Sequence, residues 1–109
     1  GEDGFVTEGS STNAWIVDGD GNLVTRAADN GILNGITRQA LLRIAAQAGI
    51  PAVERPFTVE EAKAAREAFI SSSSGFVLPV VTIDGQPVAN GVPGSVAIQL
   101  GKLYQRYAS

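Results

Sequence analysis

Two different spacings of apolar side chains share this chain, and together they dictate the architecture open to it. Leu41, Ile44, Ala45 and Ala48 fall at i, i+3, i+4 and i+7, the one-sided stripe of an amphipathic helix. Glu67 to Ser71 and Phe76 to Ile83 (FVLPVVTI) are instead short apolar runs bounded by turn residues, as in strands. Neither kind of element buries its apolar surface alone, so helices must pack on strands. The expected fold class is α/β (mixed α+β).

Local signals place the remaining elements. Residues 4–17 (GFVTEGSSTNAWIV) read as two short extended segments around a polar turn. Asp18-Gly19-Asp20-Gly21-Asn22 tolerates positive φ and is followed by Leu23-Val24-Thr25-Arg26, so Ala14 to Arg26 is expected to form a β-hairpin. Thr37 is placed as the N-cap, and Gly49 as the C′ residue, of a helix over about Arg38 to Ala48. Pro51 marks a break, and Ala52 to Phe57 reads as a short strand. Thr58 with Glu61 forms a capping-box pattern opening a helix to about Ala65. Pro79 assigns its strand to a sheet edge or a bulge, and Asp84-Gly85 makes a turn. Pro93-Gly94-Ser95 precedes a last helix with Val96, Leu100, Leu103 and Tyr107 at helical spacing. No repeat or linker-like stretch divides the 109 residues, which gives a single domain over 1–109.

Composition narrows the chemistry. Eight Lys plus Arg against eleven Asp plus Glu leave a net charge of −3 with the basic residues scattered, which argues against nucleic acid or an anionic membrane as partner. Hydrophobic residues at 44% and charged residues at 17% exclude the signature of disorder, and no apolar run has membrane-spanning length. With no Cys and no His, thiol nucleophiles, imidazole bases and Cys- or His-ligated metal sites are excluded, and no metal site is expected. Catalysis would have to draw on carboxylates, hydroxyls, backbone groups or the two lysines, Lys63 and Lys102. The chain has no Met and opens at Gly1, so it is expected to be processed or part of something longer.

Three polar turns sit at the ends of regular elements. Glu8-Gly9-Ser10-Ser11-Thr12-Asn13 is a lone acid followed by small polar residues; an exposed turn and a binding turn fit it equally well. Gly35-Ile36-Thr37 opens a helix, where free amides, the positive helix end and a hydroxyl make either a plain cap or an anion cradle. Ser71-Ser72-Ser73-Ser74-Gly75 has the composition of a flexible linker, but its place between two apolar strands favours a short ordered connection.

In chain order, EGSSTN, NGILNGITR and FISSSSGFVLPVVTIDG resemble the C-terminal half of the D-amino-acid aminotransferase family. These are class IV aminotransferases of fold-type IV that depend on pyridoxal 5′-phosphate. The resemblance runs from about Asp3 to Tyr107, and EGSSTN is closer to the D-amino-acid branch than to the EGSGEN form of the branched-chain enzymes. It implies that the carboxylate of Glu8 faces the pyridine nitrogen of the cofactor, that Leu33 packs on its ring, and that Ser11 lies close by. It implies a phosphate cup made by Ile36 and Thr37 on one side and Ser72 and Ser73 on the other, with Ser73 where relatives often carry Thr. The family's Schiff-base lysine matches neither Lys63 nor Lys102, both expected to be solvated, and would precede Gly1. No catalytic residue is therefore assigned within the chain, and the chain alone is expected to be inactive.

The implied whole enzyme moves the amino group of a D-amino acid to a 2-oxo acid, as a cytoplasmic homodimer whose N-terminal half lies outside this chain. A branched-chain aminotransferase, an aminodeoxychorismate lyase, or a non-catalytic phosphate-binding or interaction module are the alternative readings.

Overall fold

The computed structural model describes residues 12–27 and 35–108. The chain runs through β1 (Thr12–Val17), β2 (Leu23–Thr25), α1 (Ile36–Gln47), β3 (Ala52–Glu54), α2 (Val59–Ala64), β4 (Glu67–Ser72), β5 (Val77–Val80), β6 (Thr82–Ile83), β7 (Gln86–Pro87) and α3 (Ser95–Ala108). The mixed α/β class is as expected. One five-stranded sheet has the order β3-β2-β1-β4-β5, and β6 with β7 forms a separate hairpin. β1 and β4 are central, with Trp15 opposite Phe69 and Val17 opposite Glu67 in antiparallel register. β2 and β3 run parallel, and α1 lies between them in the chain, as a parallel pair requires a crossover.

Alternation along the strands divides the core between the two faces of the sheet. Trp15, Val17, Leu23 and Phe69 point to one side and pack with Leu41, Ile44 and Ala45 of α1 and Ala97 and Leu100 of α3. Their neighbours Ile16, Val24 and Ala68 point to the other and pack with Phe57, Ala62 of α2, and Val88. The Trp15 and Phe69 rings stack at 5.7 Å, and the Trp15 indole N–H donates to Ser71 Oγ at 2.8 Å inside the core.

The hairpin forms as expected, closed by an Asp18 carboxylate that accepts from the backbone amides of Asp20 and Asn22, both at 2.9 Å. The Asn22 amide is the main reason the Asp18 carboxyl titrates below its ordinary value. Gly49 (φ 77) is the C′ residue of α1. Its amide bonds Ala46 O and that of Ile50 bonds Ala45 O, a Schellman ending. The Thr58–Glu61 capping box forms in both directions. Pro79 sits on β5, an edge strand, where its missing N–H leaves no bond unmade. Asp84 (φ 52) and Gly85 (φ 76) take the paired positive φ of a tight hairpin turn between β6 and β7.

Other expectations need correction. Thr37 is not the N-cap of α1: Gly35 is, because its extended backbone (φ −72, ψ 165) lets its carbonyl accept from Gln39 N at 3.1 Å, which starts the helix at Ile36. The strand expected over Ala52–Phe57 ends at Glu54, and Phe57 turns into the core instead. Phe76–Ile83 is two strands, since after Val80 the chain leaves the sheet to pair with Gln86–Pro87. Tyr107 is half exposed rather than part of the buried stripe of α3. The first extended segment expected within residues 4–17 lies outside the described residues.

Candidate functional site

The N-terminus of α1 and the turn between β4 and β5 approach each other on the face covered by α1 and α3. At the start of α1, Ile36 is 80% exposed while Thr37 turns inward and is 2% exposed. An α-helix leaves the amides of its first turn without intrahelical acceptors, and here that turn holds no acidic residue to consume them. Arg38 follows, buried at 3%, and its guanidinium donates to Arg26 O at 2.9 Å and to the Glu54 carboxylate. This arginine ties the helix start to the end of β2 and to β3, so the amides ahead of it are held in a fixed direction.

The serine run is an ordered hairpin connection. Gly75 N donates to Ser72 O at 2.9 Å, Ser72 N donates to Phe76 O at 2.9 Å, and Gly75 at φ 98 takes the conformation that returns the chain to β5. The Ser72 hydroxyl accepts from Ser74 N at 3.2 Å and shares a 2.8 Å hydrogen bond with the Ser74 hydroxyl. Ser72 is half-buried and Ser73 is exposed at the tip.

Tyr104 of α3 joins the two. Its hydroxyl lies 3.3 Å from Thr37 Oγ1, and its ring sits against Gly75, where a Cβ would come within 3.6 Å of Cε2 and 3.8 Å of the hydroxyl. A cavity of about 310 Å³ opens beside it, lined by Ser74, Gly75, Tyr104, Gln105 and Ala108. α3 is itself anchored from β4: the buried Glu67 carboxylate accepts from Val96 N and Ala97 N, each at 2.8 Å, at the positive end of the helix.

Of the site residues expected from the sequence, Ile36, Thr37, Ser72 and Ser73 thus fall on two adjoining elements. Glu8, Ser11 and Leu33 lie outside the described residues. Lys63 corrects an expectation. It is not solvated but mostly buried, with its ammonium 3.4 Å from Asp84 and 3.6 Å from Glu60, in the layer on the opposite side of the sheet from α1. Lys102 is exposed as expected. A cavity of about 290 Å³ on that opposite side is lined by apolar residues including Phe57, Ala62, Val80 and Ile83, and offers nothing to bind an anion. Among the described residues no group of three or more Asp or Glu gathers to hold a metal, and no helix is long and apolar enough to cross a membrane.

Tyr104, Arg38 and Glu67 were not singled out from the sequence. Tyr104 carries a faint signal, an aromatic hydroxyl four residues after Leu100 on the buried side of the helix. Arg38 and Glu67 carry none, because nothing local says that a charged side chain will be buried.

Residues 1–83 match the family described as amino-transferase class IV. The chain is 44% identical over 102 residues to a D-alanine aminotransferase of Staphylococcus aureus (strain COL), covering 94% of this chain and 36% of that protein. It is 46% identical over 99 residues to a D-alanine aminotransferase of Listeria monocytogenes serotype 1/2a (strain 10403S), covering 91% and 34%. Its fold superimposes with a TM-score of 0.85 and 38% identity on the branched-chain aminotransferase of the thermophilic archaeon Thermoproteus uzoniensis solved with norvaline, covering 95% of this chain and 34% of that one. The chain therefore spans about a third of the length of the proteins it matches.

Proposed function

The chain belongs to the amino-transferase class IV family, and on that premise we propose that it is the cofactor-binding C-terminal portion of a pyridoxal 5′-phosphate-dependent enzyme that moves the amino group of a D-amino acid to a 2-oxo acid. The observation that carries the reading is that Thr37 and the serine turn both meet the Tyr104 side chain, Thr37 at its hydroxyl and Gly75 against its ring. The donor set suits a phosphate: a helix N-terminus with no acid in its first turn, and hydroxyls at Thr37, Ser72 and Ser73. Identities of 44% and 46% to D-alanine aminotransferases, against 38% to the branched-chain structure, support the D-amino-acid branch.

On this reading the amides of Ile36 and Thr37 and the Thr37 hydroxyl donate to phosphate oxygens from one side, and Ser72 and Ser73 from the other. As the family resemblance implies, Glu8 would hold a proton on the pyridine nitrogen, Leu33 would pack on the ring and Ser11 would lie close to it. When bound, the cofactor supplies the electron sink into which the bond to the substrate's α-proton is broken. We assign the cofactor-holding lysine to neither Lys63 nor Lys102; the assignment is supported by the pairing of Lys63 with two carboxylates on the far side of the sheet and by the exposure of Lys102. The chain alone then does not turn over. The same reading includes a cytoplasmic homodimer, as the family resemblance implies.

The test uses the protein that contains this chain, supplied in turn with D-alanine, L-leucine and aminodeoxychorismate. Transfer from D-alanine is expected to be the fastest; preference for L-leucine or for the lyase reaction would move the assignment to those branches. Thr37→Val should weaken cofactor binding by about 1 to 3 kcal/mol, the cost of an unpaired partner, and an unchanged dissociation constant would remove Thr37 from the site. Borohydride reduction with pyridoxal phosphate should leave no stoichiometric adduct at Lys63 or Lys102, and such an adduct together with turnover would overturn the reading.

A further inference from the structure

We infer that Tyr104 is a positioning residue for phosphate binding, its hydroxyl setting the direction in which Thr37 donates. The inference rests on the phosphate role proposed above for Thr37. A threonine hydroxyl has one proton and rotates to suit its surroundings, so its usefulness to an anion depends on where that proton points. Thr37 Oγ1 lies 3.3 Å from the Tyr104 hydroxyl, and either oxygen can be the donor. If Thr37 donates to Tyr104, it offers only lone pairs to an anion and repels it. If Tyr104 donates, the Thr37 proton is left for an acceptor ahead of the helix, and each hydrogen bond polarises the next. An anion at the helix start selects the second arrangement, and Tyr104 makes it available without any rearrangement of the backbone.

Tyr104 is held in place for this. Its ring packs against the main core cluster, lies against Gly75 of the serine turn, and stacks on Tyr107 at 6.4 Å. The Tyr107 hydroxyl is in turn held by Arg43 at 2.9 Å. The helix that carries both tyrosines is fixed at its other end by Glu67. One side chain therefore touches both walls of the cup while contributing no charge of its own.

The experiment compares pyridoxine 5′-phosphate with pyridoxine as ligands of the cofactor-free form of the whole protein. Neither has an aldehyde, so no covalent attachment to lysine enters the measurement. Tyr104→Phe keeps the ring and removes only the hydroxyl. It should raise the dissociation constant of pyridoxine 5′-phosphate about 5- to 10-fold, the scale of one hydrogen bond, and leave that of pyridoxine unchanged. In a Thr37→Val background the same change should have no further effect, whereas in Thr37→Ser, which keeps a hydroxyl, the loss should reappear. Equal losses for both ligands, or losses that add to that of Thr37→Val, would overturn the inference. If Thr37→Val weakens the phosphorylated ligand and Tyr104→Phe does not, the inference fails while the phosphate reading stands. If neither substitution matters, the phosphate reading fails and the inference with it.

Discussion

Adding one methyl group at Gly94 should unseat α3. A Cβ built there would overlap Cγ, Cδ and Oε1 of Glu67, and no positive φ is involved, so the penalty comes from lost space and not from backbone strain. The Glu67 carboxylate fills that space because it accepts from Val96 N and Ala97 N at the start of α3. Gly94→Ala forces the carboxylate or the helix to move, and two hydrogen bonds to a charged group, at about 1.5 to 3 kcal/mol each, are broken or stretched. The reduced freedom of alanine in the unfolded chain returns about 0.4 to 1 kcal/mol. The expected net loss is about 2 to 5.5 kcal/mol. Urea denaturation of the protein containing this chain should report it, with hydrogen exchange at the α3 amides to localise it. Glu67→Ala should lose a similar amount, and Gly94→Ala added to it should cost no more than about 1 kcal/mol, because the new methyl then enters vacated space. A Gly94→Ala protein as stable as the parent, or losses that simply add in the double variant, would refute the reasoning.

Ser71→Ala removes the acceptor of the Trp15 indole N–H inside the core and should destabilise by about 1 to 3 kcal/mol. An unaltered unfolding midpoint would show that the bond contributes nothing. For Asp18, the amide of Asn22 holds the folded-state carboxyl below its ordinary 3.8. The stability this contributes is present above the unfolded value and is lost as pH falls through the lower folded value. The stability gap between the parent and Asp18→Asn should therefore be constant near neutrality and shrink as the pH drops below 3.8. A gap that persists or widens in acid would contradict this.

The order of residues settled those features whose deciding partner lies within a few positions. The Thr58–Glu61 box, the Gly49 helix ending, the tight turn at Asp84-Gly85 and the edge position of Pro79 all depend on local backbone chemistry, which is the same in any fold. So did the mixed class, because helical and extended apolar spacings are written directly in the chain. The N-cap went to Gly35 rather than Thr37 even so. The Thr37 hydroxyl pairs with Tyr104, 67 residues away, and no local rule weighs such a partner.

The candidate site divides along the same line. Its residue types, at Ile36, Thr37, Ser72 and Ser73, could be named from motifs, but that one side chain of α3, Tyr104, pairs with Thr37 and packs against Gly75 of the serine turn is a property of packing. Glu67 finds its amides 29 and 30 residues away, Arg38 its carboxylate 16 away, and Trp15 its acceptor 56 away. Each of these buries a polar or charged group that sequence rules place at the surface. Burial becomes tolerable only once the fold brings the compensating partner within hydrogen-bond reach, so tertiary structure alone decides it.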